Sequence, residues 1–194
     1  GEKTLALDIV RQAVNLEGKT ILLLQFLMTR DKQALDQSHR RQAEKIMDYL
    51  KRGQDVAMLN LGDVSIYSTF SYLLEIVKQA GFEVRASPGV PSFCAVGALL
   101  QQSLTEMSLP LHIIPAGCPG LEQSLALPGG KVLMKTGKAL PQVRQALREQ
   151  GLYEKASLVQ NCGLPDQKIC RSLDEAEDGV GYFTTIVVKG GEAG

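Results

Sequence analysis

The 194 residues carry 21 basic and 21 acidic side chains, with 44% apolar and 22% charged residues. That length suits one large domain or two small ones and is enough to bury a core. Balanced charge argues against nucleic acid as the main partner, because phosphate backbones select a basic surplus.

The amino end, GEKTLALDIV, lacks the basic-then-apolar layout of a signal peptide. LALDIVRQAV repeats apolar residues at Leu5, Ile9, Val10, Ala13 and Val14, which is helical spacing. TILLLQFLM at 20–28 is β-rich, broken by Gln25 and too short to cross a bilayer, so a strand is expected there. The expected location is the cytoplasm. Residues 31–52 place Leu35, Ala43, Ile46, Met47 and Leu50 among many charges, the pattern of an amphipathic helix closed by Gly53. On its polar face, His39, Arg40 and Arg41 are expected to be solvated. DVAMLNL at 55–61 is almost continuously apolar, as expected of a parallel strand covered on both faces.

Phe70, Leu73, Leu74 and Val77 give the next helix, ended by Gly81. FEVRASPGV supplies a short strand and SFCAVGALLQQ a helix. Alternating strand and helix predict a mainly parallel sheet with crossover helices. Prolines and glycines interrupt MSLPLHIIPAG at 107–117, so the domain boundary is placed there, giving domains 1–110 and 111–194. Beyond it, KVLMK, ASLVQ, QKICR and YFTTIVVK read as strands, and LPQVRQALREQG as a helix with Pro141 in its first turn. The second sheet is therefore expected to be mixed. The fold class is α/β, in two small domains.

Cys94, Cys118, Cys162 and Cys170 form no CxxC pair, and His39 and His112 lie far apart. No protein-bound metal is expected from these spacings. His112, near the boundary, is expected to be packed.

The chemistry concentrates in LNLGDVSIYSTFSYLLEIV at 59–77, where a strand meets a helix. Gly62, Asp63, Ser65, Tyr67, Ser68 and Thr69 exceed what a plain connection requires. In an open α/β sheet, ligands bind beyond the carboxyl ends of the strands. An ionised Asp63 favours an ammonium, a sulfonium or ribose hydroxyls and repels phosphate, and no GxGxxG or GxxxxGK[ST] loop is present. The alternative is that Asp63 and Ser65 only cap the helix while Tyr67 packs nearby.

This stretch resembles the tetrapyrrole methylase family, whose first half carries an LGDP-type loop in contact with S-adenosylmethionine. FLMTRD at 26–31, LGDVSIYSTFSYL at 61–73, PGVPSF at 88–93, VLMKTG at 132–137 and YFTTIVV near the carboxyl end extend the likeness over nearly the whole chain. Within the family they are most similar to the members that methylate precorrin-2. The resemblance implies two α/β domains with a cofactor cleft between them, and a homodimer. It implies cofactor contacts from Gly62, Asp63 and Ile66, then Pro91, Ser92 and Phe93. The second domain would add Met134, Lys135, Cys162, Gly163, Thr184 and Thr185. Met28, Thr29, Arg30, Ser68 and Thr69 would meet the substrate, with Arg30 and Lys135 facing its carboxylates, and Tyr67 would orient it or accept a proton.

The implied reaction is methyl transfer from S-adenosylmethionine to the C(20) meso carbon of precorrin-2 or cobalt-precorrin-2, in cobalamin synthesis. The macrocycle is itself the nucleophile, so placement and exclusion of water would carry most of the catalysis. Two departures stand out. Val64 replaces the usual proline, with a small change in loop rigidity expected. The family's opening strand and GxGPGD loop precede the point where this sequence begins, and without them the first sheet would lack a central strand. The resemblance also leaves room for a different acceptor (another macrocycle carbon, a modified histidine on a protein, an RNA ribose) or for a non-catalytic, dimer-forming relic.

Overall fold

The computed structural model describes residues 4–29 and 31–190. The chain divides into two compact units, Gly1–Gly89 and Val90–Gly194.

In the first unit, helix α1 spans Leu5–Ala13, and the Thr4 hydroxyl accepts from the Leu7 amide at 3.2 Å. Helix α2, Lys32–Leu50, starts on Asp31, whose carboxylate accepts from the Gln33 and Ala34 amides at 2.9 and 3.2 Å. Such caps satisfy amides that the helix itself leaves unpaired. Helix α3 covers Phe70–Gln79. Ala43 and Ile46 of α2 pack with Leu73 and Val77 of α3, and against them lie Leu22, Leu24, Phe26, Val56, Met58, Phe82 and Val84.

Those last seven residues recur at every second position, the spacing of strands with one face on a core. Yet none of the three expected runs forms a strand, and among the described residues no ladder of backbone hydrogen bonds joins them. The segment 55–61 is not covered on both faces either, since Leu59 and Leu61 are 49% and 43% exposed. Continuous apolarity shows that a segment can be buried. It does not supply the hydrogen-bonded neighbour that a strand needs. His39 also departs from expectation. It is buried at 6% exposure, with its ring stacked on Tyr72 at 4.7 Å and 8°. The amphipathic period of α2 turns Ser38, His39 and Gln42 inward beside Ala43 and Ile46.

The second unit begins with helix α4, Ser92–Leu100, which packs Val96 and Leu100 on Val159 and Val187. This packing assigns the helix to the second unit, so the division falls before the expected boundary near 110. Five strands follow: β1 (Leu111–Pro115), β2 (Gly130–Met134), β3 (Ala156–Gln160), β4 (Lys168–Cys170) and β5 (Thr184–Val188). They form one sheet in the order β1-β2-β5-β3-β4, with β1 and β2 parallel and the remaining pairs antiparallel. The mixed sheet expected of this half is present. Strand β1 lies inside the stretch read as a boundary. Its prolines are tolerated because β1 is an edge strand and Pro115 is its last residue. His112 is half-buried, its Nε2 2.9 Å from the Pro128 carbonyl oxygen.

Alternation along the strands gives the sheet two covered faces. Leu133, Leu158 and Ile186 meet helices α5 (Leu121–Ala126) and α6 (Leu140–Glu149) on one side, while Val159 and Val187 meet α4 on the other. Arg144 of α6 reaches across to the segment before β5. Its guanidinium donates to the carbonyls of Leu173 (2.8 Å) and Ala176 and pairs with Asp178 at 2.8 Å. Arg144→Met would leave the Ala176 carbonyl without this donor, while the Leu173 carbonyl keeps the Ala176 amide at 3.2 Å, so the loss is about 1–3 kcal/mol, that of one unsatisfied group. A urea midpoint lowered accordingly, with the helical signal retained, is the expected result.

Candidate functional site

The loop after residue 61 is ordered by its own side chains. Asp63 Oδ1 accepts from the Ser65 amide at 2.8 Å and from the Ser65 hydroxyl, and Oδ2 accepts from the Gly89 amide at 2.7 Å. Oδ1 therefore orders the 62–66 loop internally, and Oδ2 ties that loop to 87–89. Gly62 takes a left-handed backbone at φ 78°, and a Cβ on Gly89 would collide with the Gly62 carbonyl oxygen. The loops meet backbone to backbone, which only glycine permits.

The bond from the Ser65 hydroxyl, then those from the Gly89 and Ser65 amides, hold the Asp63 carboxyl below its ordinary value of 3.8. A depressed carboxylate pKa adds stability above the unfolded value, and that stability is lost as pH falls through the folded one. In an NMR titration, Asp63 is expected to reach its midpoint below 3.8, with the midpoint rising in Ser65→Ala.

Ser68 is used internally too. Its hydroxyl donates to Asn60 Oδ1 at 2.7 Å and accepts at 3.1 Å from the amide of Phe70, the first residue of α3. Asn60 Nδ2 is buried with no partner, an orphaned donor immediately before the loop. Ile66 and Thr69 are half-buried. Tyr67 is 47% exposed and takes φ 50°, uncommon for a residue with a side chain. Met28 is 90% exposed, and the Thr29 hydroxyl accepts from the Asp31 amide at 3.1 Å. Arg30 lies outside the described residues.

In the second unit, the expected residues collect at one end of the sheet. Pairing of Leu133 with Ile186 and of Gln160 with Thr184 aligns the ends of β2 and β3 with the start of β5. The Thr136 amide donates to the Thr184 carbonyl at 3.5 Å, and the Asn161 amide to the Phe183 carbonyl at 2.9 Å. Met134, Lys135, Cys162, Gly163, Thr184 and Thr185 thus share this end. Helix α4 starts here as well, because the chain after it packs Leu104 against Gly130, at the far end of β2. The first turn of α4 follows Pro91 with no side-chain cap. The Phe93 side chain is buried at 5%, so its amide is the group it can offer there.

Lys135 and Asn161 both turn left-handed just beyond their strands, at φ 58° and 53°, and Gly163 does so at 79°. Strained backbone gathered at one sheet end is characteristic of ligand sites. The Gly163 amide donates to Gln167 Oε1 at 2.8 Å, fixing the turn. The Thr184 hydroxyl donates to the Gly181 carbonyl at 2.8 Å, and both threonines are buried. Burial pushes the Cys162 thiol up, so it stays protonated at neutral pH.

Gly89, Asn60 and Asn161 were not singled out from sequence. Gly89 lay in the quoted PGVPSF run, but nothing local shows that its amide meets Asp63, 26 positions earlier. Among the described residues, no group of three or more His, Cys, Asp or Glu is placed to hold a metal ion, and no helix is long and apolar enough to cross a membrane.

Comparison with known proteins gives the family. Residues 1–177 match the family model for Tetrapyrrole (Corrin/Porphyrin) Methylases. The chain is 32% identical over 195 residues to a "Probable cobalt-precorrin-2 C(20)-methyltransferase" of Methanocaldococcus jannaschii, covering 97% of this chain and 80% of that protein. It is 29% identical over 193 residues to the "Cobalt-precorrin-2 C(20)-methyltransferase" of Salmonella typhimurium, with 97% and 81% covered. The fold is similar to a solved cobalt precorrin-4 methyltransferase (TM-score 0.68, 21% identity, 76% of this chain and 69% of that one). It is also similar to the uroporphyrin-III C-methyl transferase from Thermus thermophilus complexed with S-adenosylhomocysteine (TM-score 0.59, 17% identity, 79% and 72%). By the extent of the family match and of the relatives' coverage, the chain belongs to the tetrapyrrole (corrin/porphyrin) methylases.

Proposed function

We propose that the protein is an S-adenosylmethionine-dependent methyltransferase acting at C(20) of precorrin-2 or cobalt-precorrin-2. The observation that carries this reading is the similarity to C(20)-methyltransferases along 97% of the chain, which takes in the 62–66 loop and the sheet-end cluster alike.

The residues present fit the cofactor. The uncapped first turn of α4 offers amides to a carboxylate. The left-handed turns at Lys135, Asn161 and Gly163 gather at one end of the sheet, and the orphaned Asn60 Nδ2 offers a donor beside the 62–66 loop. When bound, S-adenosylmethionine would supply a methyl group activated by its sulfonium. The protein's part is then to bind and orient. Gly62 and Ile66 would border the cofactor, with Ser92, Phe93, Met134, Cys162 and Thr185 contributing from the second unit. Lys135 would face a substrate carboxylate, and Met28, Thr29 and Arg30 would border the macrocycle. Tyr67 Oη would orient the acceptor or take up the proton released at the methylated carbon. Ser68 and Thr69 would shape that side of the loop. A homodimer in the cytoplasm completes the proposal.

The test is incubation of the purified protein with S-adenosylmethionine and precorrin-2, or its cobalt form, followed by mass spectrometry. Product one methyl group heavier, with equimolar S-adenosylhomocysteine, supports the reading, while cofactor binding without turnover on either form removes this acceptor. Tyr67→Phe is expected to lower turnover by about 10²-fold, the lower end of general acid–base contributions. Unchanged turnover takes Tyr67 out of the mechanism.

A further inference from the structure

Asp63 was read from sequence as a direct cofactor contact, but its hydrogen bonds point elsewhere. A carboxylate offers about four acceptor sites, and three of those on Asp63 are taken within the protein. Here Oδ1 accepts twice from Ser65, and Oδ2 accepts from the Gly89 amide across 26 residues of chain. Gly89 in turn sits so close to the Gly62 carbonyl that it has no room for a Cβ. The two loops are thus held by one charge-assisted bond and one backbone-to-backbone contact, at adjacent points. Charge-assisted bonds of this kind are shorter and stronger than neutral ones.

We infer that Asp63 is a positioning residue: it clamps the 62–66 loop to the 87–89 loop, and ligand contact falls to the backbone that the clamp presents. The inference rests on the cofactor reading above and assigns a role within that site. It explains why Ser65 follows at two positions, since its amide and hydroxyl fix the carboxylate's rotamer. It also gives Gly89 a task, as the amide that the carboxylate holds.

The variants separate the bonds. Asp63→Asn keeps a carbonyl oxygen for Ser65 but has no second acceptor for the Gly89 amide. Gly89→Ala leaves the carboxylate intact and disrupts the contact with Gly62. Ser65→Ala is the mild variant, losing one bond of the set. Exchange of the Gly89 amide is followed by NMR in the ligand-free chain. Affinities are measured for S-adenosylhomocysteine and for 5′-methylthioadenosine, which lacks the amino-acid portion.

A clamp predicts that Asp63→Asn speeds Gly89 exchange at least tenfold. It also predicts that both ligands weaken by the same factor, on the order of tenfold, and that Gly89→Ala reproduces this pattern. The double variant is then no weaker than the worse single one, because both remove one linkage. A merely destabilised chain would not show that coincidence. The inference is overturned if Asp63→Asn leaves Gly89 protection unchanged, or if it weakens one ligand and spares the other. A wild-type chain that binds neither ligand would sink the cofactor reading. The exchange measurement, made without ligand, would still report on the clamp.

Discussion

Valine at position 62 is expected to weaken binding of S-adenosylhomocysteine by 10- to 100-fold while leaving the fold of the second unit intact. Gly62 has φ 78°, and its carbonyl oxygen packs against Gly89. An L-residue in the left-handed region costs roughly 1–2 kcal/mol, and a β-branched one is a genuine outlier there. Two outcomes follow for Gly62→Val. If the strain is retained, the loop keeps its shape at a cost in stability. If the backbone relaxes, Asp63 moves away from Gly89 and the bond between the loops is lost. The second is expected, because Gly62 is exposed and a single hydrogen bond, from Gly89 to Asp63, opposes the relaxation. Each 1.4 kcal/mol of lost binding is tenfold in affinity, so loss of one charge-assisted bond with its ordering falls in the stated range. Calorimetric titration checks it. An unchanged dissociation constant would overturn the expectation, and a lowered urea midpoint beside it would mean that the strained loop had kept its shape.

Ile186→Ala is expected to have the largest effect on stability, about 2–5 kcal/mol. Ile186 is fully buried on β5, the middle strand of the sheet, and packs in the cluster with Leu133, Leu158 and Leu147. Close-packed neighbours on both adjacent strands leave little room for collapse around the cavity. Ile169→Ala on the edge strand β4 is the control. Ile169 is 40% exposed, so its cost should remain below about 1 kcal/mol. Urea denaturation of the two variants separates them, and equal midpoints would contradict the burial difference. Because the Ile186 side chain packs in the core with Leu133, Leu147 and Leu158, cofactor affinity in the folded Ile186→Ala protein should stay close to that of the wild type.

The second unit was the more legible half. KVLMK overlaps β2 in four residues, ASLVQ, QKICR and YFTTIVVK each contain an observed strand, and LPQVRQALREQG contains α6. These segments combine apolar alternation with turn residues at their ends, and both signals act over a few residues. The three runs of the first half carried the same apolar signal without becoming strands, since pairing depends on what lies beside them. His39 shows a related limit. Composition made it one of a basic trio, but the phase of α2 sent it under Tyr72 while Arg40 and Arg41 stayed exposed.

Helices α1 to α4 and α6, strands β2 to β5, and the loops in which glycine, aspartate and hydroxyls cluster could be read from the sequence alone. Those depend on neighbours within about one turn of chain, where period, caps and φ preference decide. Only the tertiary structure decided the use of those groups. It showed Asp63 bound to Gly89, Ser68 bound to Asn60, and the ends of β2, β3 and β5 drawn to one edge with the start of α4. Hydrogen-bond capacity is a property of a residue, but its satisfaction depends on groups distant in sequence, and that is settled only when the chain closes on itself.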